Sequence, residues 1–235
     1  MEPPAPLVPL SVVTPTWNEA GQLEALARSL AQQACAHEWI VSDGESPDGS
    51  AELAARLGAR VLRGARGRGG QLARGAAAAR GELLCFLHAD ARLAPGALAA
   101  VSAAFADPGV CAAGMRQRIE HPARFYRWIE RAADRRVARG RVYGDSALCV
   151  RRAAYAAAGG FRAQPVFEDL DLARRLRREG RIVLVPGATV LCSPRRWERE
   201  GRLRRTLLNW ALTGLWAAGV DSARLARFYA PHAER

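Results

Sequence analysis

Through its first half the chain alternates short apolar runs with stretches whose apolar residues recur at helical spacing. Residues 7–14, apolar and β-branched after Pro9, then 39–42 and 60–62 are too short for helices and read as strands. The most telling run is 83–93, LLCFLHADARL, a continuous apolar strand that stops at a polar tip, His88-Ala89-Asp90. Between these runs Leu23, Leu26, Ala27, Leu30 and Ala34 mark one face of a helix that Thr16 or Asn18 can cap. Ser50 can cap a second helix reaching Leu57, and residues 71–80 form an Ala-rich third. The order strand, helix, strand, helix, strand demands right-handed crossovers. We therefore expect an α/β fold with a mostly parallel, Rossmann-like sheet flanked by helices.

After Pro95 opens a helix with Leu98, Val101 and Phe105 inward, and 110–118 adds a strand, the alternation lapses. Residues 123–139 form an Arg-rich helix with Phe125, Trp128 and Ile129 on its apolar side, and 147–150 another strand. Glu168 and Asp169 begin a helix that continues through Leu170, Ala173 and Leu176; the helix dipole favours carboxylates there whether or not they do chemistry. Residues 182–185 and 189–192 read as two short strands. In the last segment Leu203, Leu207, Ala211 and Leu215 lie four apart, flanked by Leu208, Leu212 and Trp216, an amphipathic C-terminal helix. Its uncharged part, 207–220, is shorter than the roughly 18–20 residues that span a bilayer. With Arg199, Arg202, Arg204 and Arg205 before it, 199–220 suits peripheral contact with an anionic membrane surface, or packing against the domain or in a homodimer.

Composition narrows the classes. At 235 residues and 49% hydrophobic, the chain can bury one full core. The net charge of +12 points to polyanions, but all 35 basic residues are Arg and none is Lys, a compositional bias that leaves much of the charge as solvated background. We expect no specific nucleic-acid partner. Five cysteines, widely spaced and without a C-x-x-C pair, fit reduced thiols rather than disulfides or zinc. The first six residues have neither the basic start nor the apolar run of a signal peptide, so the expected location is cytoplasmic, with any membrane contact peripheral at the inner face. The Gly/Arg loop at 64–70 spells neither G-x-G-x-x-G nor G-x-x-x-x-G-K-[ST], which argues against a nicotinamide enzyme or a P-loop protein.

In a parallel sheet ligands collect beyond the carboxyl ends of the strands. Four polar clusters fall there: Thr16-Trp17-Asn18-Glu19, Asp43-Gly44, His88-Ala89-Asp90, and Glu168-Asp169 after a strand and loop return. Though distant in sequence, they converge on one edge. His88 and Asp90, two apart on an extended tip, can share a divalent cation, or Asp90 can hold it alone; the plainer reading is a turn aspartate.

Residues 10–19 (LSVVTPTWNE), 41–50 (VSDGESPDGS), 86–90 (FLHAD), 159–161 (GGF) and 167–169 (FED) resemble, in order, the successive motifs of family 2 glycosyltransferases with the GT-A fold. The likeness runs from Leu10 to Trp197. The short chain and the segment 193–198 (SPRRWE) look closest to small stand-alone bacterial members linked to arsenosugar biosynthesis. The division implied is a disordered tail at 1–9, a GT-A domain at 10–197 and a C-terminal helical extension at 198–235.

The resemblance implies roles. A nucleoside-diphosphate sugar, UDP- or GDP-linked, would lie against Pro15, Thr16, Asn18, Glu19 and Asp43, with Arg68 reaching the base or diphosphate. Asp90 matches the last carboxylate of the D-x-D motif that holds Mn2+ or Mg2+ against the diphosphate; His88 stands where the first Asp usually is, with Ala89 between. Asp169 matches the base that deprotonates an acceptor hydroxyl, in a transfer the resemblance makes inverting, and Glu168 would orient it. Gly144, Asp145, Arg196 and Trp197 would line the acceptor side. Arg196-Trp197 lacks the Gln of the processive Q-x-x-R-W motif, so non-processive transfer is expected. Two alternatives stay open: a nucleotidyltransferase acting on sugar phosphates, although the Gly-rich loop it needs after the first strand is missing, and a non-catalytic basic module binding nucleic acid or lipid.

Overall fold

The computed structural model describes residues 9–228. The expected tail at 1–9 lies outside them except for Pro9, as do the last seven residues of the expected extension. In chain order the elements are β1 (Leu10–Thr16), α1 (Ala20–Ala31), β2 (His37–Asp43), α2 (Ser50–Arg56), β3 (Arg60–Arg63) and α3 (Arg68–Ala78). Next come β4 (Leu83–Phe86), β5 (Ala91–Leu93), α4 (Ala97–Ala104), β6 (Val110–Ile119) and α5 (Arg124–Ala138). A 3-10 turn (Gly144–Ser146) leads to β7 (Leu148–Arg151), α6 (Arg152–Ala157), α7 (Glu168–Leu176) and β8 (Arg181–Cys192). Helices α8 (Arg195–Glu200), α9 (Arg202–Ala217) and α10 (Ser222–Ala226) finish the chain.

One eight-stranded sheet runs in the order β3-β2-β1-β4-β7-β6-β8-β5. Its first four strands are parallel, as the strand-helix alternation requires. Beyond β4 the sheet is mixed: β7 is antiparallel to both β4 and β6, β8 is parallel to β6, and β5 is antiparallel to β8. The run 83–93 is thus two strands. Its polar tip, 87–90, is the crossing between β4 in the sheet centre and β5 at the edge.

The two-residue period of each strand sorts its side chains onto two cores. Leu83 and Cys85 join Leu10, Val12, Trp39 and Val41 under α1, α2 and α4, whereas Leu84 and Phe86 join Val13 and Ile40 under α3 and α7. Burial on both faces explains why these strands read as unbroken apolar runs. A third, smaller cluster of Val166, Phe167, Leu170, Leu212 and Leu225 fastens α9 and α10 onto the start of α7.

Two local expectations are corrected. The cap of α1 is not supplied by Thr16 or Asn18. The backbone N–H groups of Asn18, Glu19 and Ala20 donate to Ser46 Oγ (3.0 Å), Ser50 Oγ (2.9 Å) and Asp48 Oδ2 (3.0 Å), so the loop after β2 clasps the loop after β1. Ser50 is itself the first residue of α2, and the Asp48 carboxylate takes its N–H at 3.0 Å. The two late strands are one. Met115 pairs with Val185 and Arg116 with Thr189, leaving Pro186, Gly187 and Ala188 as a bulge that β8 absorbs without losing its partner.

Candidate active site

The clasped pair of loops after β1 and β2 makes one corner of the carboxyl edge of the sheet. Asp43 is buried at the end of β2, where its carboxylate accepts from Thr16 Oγ1 (3.0 Å), Ser46 N–H (2.8 Å) and Ser46 Oγ (2.6 Å). It fixes the shape of this corner. Gln71 on α3 does the same from below, donating through one amide nitrogen to the carbonyls of Thr16 (2.7 Å) and Ser42 (2.9 Å). Above the corner the Arg66 guanidinium stacks 3.4 Å from the centroid of the Trp17 ring.

A cavity of about 580 Å³ opens beside this corner, at the carboxyl edge of the sheet. Arg68, His88, Asp90, Gly144, Asp145, Asp169, Arg196 and Trp197 all line it, so sequence candidates from five separate regions do meet. Pro15, Thr16, Asn18, Glu19, Asp43, Ala89 and Glu168 are not on its wall. Ala89 and Asp90 border a smaller cavity of about 340 Å³, while Glu168 lies buried behind the wall.

Asp169 sits in the first turn of α7. Its Oδ2 accepts from Gly144 N–H at 2.6 Å and its Oδ1 from Leu170 N–H at 2.8 Å, which fixes the carboxylate while leaving it on the cavity surface. Beside it Glu168 forms a two-pronged ion pair with Arg68, the second contact 3.1 Å long, tying the start of α3 to the start of α7. Phe167, just before them, has φ +63°, a left-handed conformation that is strained for a bulky side chain. The other three positive-φ non-glycine residues among those described, Asn18, Glu45 and Ala147, also lie in loops on this edge. Such strain concentrates at functional sites.

Gly144 is where the cluster is tightest. A Cβ there would run into the His88 ring, with Cε1 at 2.8 Å, and would lie 3.4 Å from Asp169 Oδ2. Only glycine lets the imidazole and the carboxylate approach the same backbone. Gly144→Ala is expected to push both side chains aside and lower turnover by about 100-fold, the cost of a misplacement near 1 Å. Steady-state kinetics on the folded variant checks this, and wild-type turnover would show that the contact has no catalytic weight.

Electrostatics sharpen the picture. Burial and the neighbouring Arg68 hold the His88 imidazole below its usual range, keeping a ring lone pair available at neutral pH. Burial raises Glu19, with Arg195 opposing that shift and Asp90 adding to it. The Arg195 guanidinium stands between two carboxylates, 3.1 Å from Glu19 and 3.3 Å from Asp90. Asp90 thus already takes a positive charge. Among the described residues no three His, Cys, Asp or Glu side chains converge as a complete metal set. One or two carboxylates suit Mn2+ or Mg2+ when substrate phosphates and water complete the shell.

Several residues of the site were not readable as such from the sequence. Arg195, which bridges Glu19 and Asp90, and Arg205, on the cavity wall, fall in an Arg-rich segment, and nothing in their spacing separates them from their neighbours. Arg205 is nevertheless buried, donating to Glu200 at 3.1 Å. Gln117, on β6, is buried on the cavity wall with neither amide atom hydrogen-bonded apart from its closeness to the Cys192 thiol. Flanked by Arg116 and Arg118 at the polar end of β6, it carries no local signal.

Residues 11–162, well over half of the chain, match the family described as Glycosyl transferase family 2. The chain belongs to that family. Its fold is similar to the mannosyltransferase PcManGT from Pyrobaculum calidifontis, solved in complex with GDP-Man and Mn2+ (TM-score 0.71, 24% identity, 96% of this chain and 70% of that one). It is also similar to S. aureus TarS 1–349 in complex with UDP-GlcNAc (TM-score 0.61, 18% identity, 78% and 58%). In sequence it is 37% identical over 126 residues to protein MT1568 of Mycobacterium tuberculosis (strain CDC 1551 / Oshkosh). That match covers 51% of this chain and 39% of the relative, so the chain spans about two fifths of that curated protein. The sheet and flanking helices are those of the GT-A glycosyltransferase fold.

Proposed function

We propose that this family 2 member transfers a sugar from a nucleoside-diphosphate donor, UDP- or GDP-linked, to a hydroxyl acceptor, one sugar at a time and with inversion. The observation that carries the reading is that Asp90, His88 and Asp169 open into one cavity at the carboxyl edge of the sheet. The base and ribose lie against the clasped loops, where Thr16, Asp43 and Ser46 hold the wall and Pro15, Asn18 and Glu19 face the nucleotide. Asp90, with His88 beside it, would hold Mn2+ or Mg2+, which would supply charge to offset that developing on the diphosphate. The acceptor enters from the Gly144, Asp145, Arg196 and Trp197 side. Its oxygen attacks the anomeric carbon as Asp169 takes its proton; the bond to the diphosphate breaks and the diphosphate leaves with the electron pair. Glu168 steadies that geometry through Arg68. Support for the donor class comes from two fold relatives, one solved with GDP-Man and Mn2+ and one with UDP-GlcNAc.

Arg195 then stands in the way of the ion. Its guanidinium occupies the Asp90 carboxylate that would take the ion, so Arg195→Ala is expected to bind Mn2+ several-fold more tightly without nucleotide, read by Mn2+ spin-resonance titration. Unchanged affinity would mean that Arg195 does not compete.

The reading is tested by incubating the chain with UDP- and GDP-sugars and Mn2+ and following release of the nucleoside diphosphate. One base should be accepted. Joining of a sugar 1-phosphate to a nucleoside triphosphate, with pyrophosphate release, would instead establish a nucleotidyltransferase.

A further inference from the structure

Helix α9 is apolar on two sides. Leu212, with Leu208 and Trp216, packs inward on Phe167 and Leu170, which accounts for its attachment to the domain. The opposite row is bare: Leu203 is 70% exposed, Leu207 61% and Trp210 52%, while Leu215, 47% exposed, stands between the two sides. Trp128 of α5, 45% exposed, meets Trp210 edge-on at 5.3 Å and widens the patch across both helices. A contiguous apolar patch of this kind, rimmed by charge, marks an interaction surface.

The rim has one sign. Arg124, Arg131 and Arg135 on α5 and Arg202 and Arg204 on α9 are exposed, and neither helix exposes an acidic side chain. A second copy of the chain seated on this face by two-fold symmetry would bring these arginines against their own kind. An anionic surface is the complementary partner. Among the described residues no helix is long and apolar enough to cross a membrane, so the geometry is that of a helix lying along an interface, with apolar side chains down and arginines at the headgroups.

The patch is also the mouth of the cavity. Trp210, Gly214 and Ala217 are exposed outside and line it inside; the less exposed Ile129 and Leu170 make the same wall apolar beside Asp169. We propose that the α5–α9 face docks on an anionic lipid bilayer with the cavity mouth toward the lipid, so that the acceptor hydroxyl belongs to a membrane amphiphile. This rests on the reading of Asp169 as the base.

The test sediments the full chain with vesicles of phosphatidylcholine alone and of phosphatidylcholine doped with phosphatidylglycerol. Partition into the anionic vesicles is expected to exceed that into the neutral ones by at least ~10-fold, as several surface arginines should produce. The double variant Leu203→Glu/Leu207→Glu, outside the cavity and already exposed, should stay in the supernatant while keeping nucleotide and Mn2+ binding. Brominated lipid should quench the wild-type indole fluorescence, and Trp210→Phe should lose part of that quenching. Wild type left in the supernatant with both vesicles would overturn the proposal. So would equal partition into both, binding without quenching, or a concentration-dependent dimer that Leu207→Glu dissolves. Nucleotide binding is read separately, so loss of the donor site and loss of the membrane face are distinguishable.

Discussion

Replacing Asp90 with asparagine is expected to lower kcat/KM by at least ~10²–10³-fold, the range seen when one preorganised group facing developing charge is removed. The carboxylate projects from the crossing between the central strand β4 and the edge strand β5, and its contact is the charge of the Arg195 guanidinium, shared with Glu19. The asparagine is isosteric, so the fold and the β5–β8 pairing remain. What goes is the charge that makes donor affinity depend on the metal. Calorimetric titration of nucleotide with and without Mn2+ should show the metal's contribution collapse in the variant. An unchanged Mn2+ dependence would move the ion to other ligands.

Replacing Asp169 with asparagine tests the other half of the chemistry. Loss of a general base costs typically ~10²–10⁴-fold. Because its hydrogen bonds from the Gly144 and Leu170 N–H groups use both acceptor oxygens, one of them is lost in the amide, but the Glu168–Arg68 pair that joins α7 to α3 is untouched. Donor binding is therefore expected to stay near wild type while transfer falls. Equal loss of both would make Asp169 part of the donor site instead of the base.

The parallel half of the sheet was legible because its strands are buried on both faces, and continuous apolar runs such as 83–87 admit no amphipathic helix. Polar residues stopping such runs mark carboxyl ends, which is why the sequence alone puts Asp43, His88 and Asp90 on one edge. What escaped is long-range. The clasp of Ser46, Asp48 and Ser50 onto residues 18–20 joins two loops some thirty residues apart, and no local pattern distinguishes it from ordinary helix capping. Pro186 and Gly187 carry the usual signal of a turn, yet β6 runs on beside them and the strand bulges rather than ends. The four-apart row of α9 was visible, but spacing alone could not tell which of its two apolar sides meets the protein. Arg195 shows the limit most plainly. Its contacts to Glu19 and Asp90 span 176 and 105 residues.

The central claim, a metal-dependent nucleotide site built on Asp90, is tested most directly by thermal unfolding with UDP, GDP, dTDP and CDP, each with and without Mn2+, on wild type and Asp90→Ala. A ligand at about 100 times its Kd stabilises by roughly 2.7 kcal/mol, a readily measured shift. We predict stabilisation by one of these nucleotides that requires both Mn2+ and Asp90. Absence of a shift with all four, or a shift indifferent to the metal and to Asp90, would contradict the account.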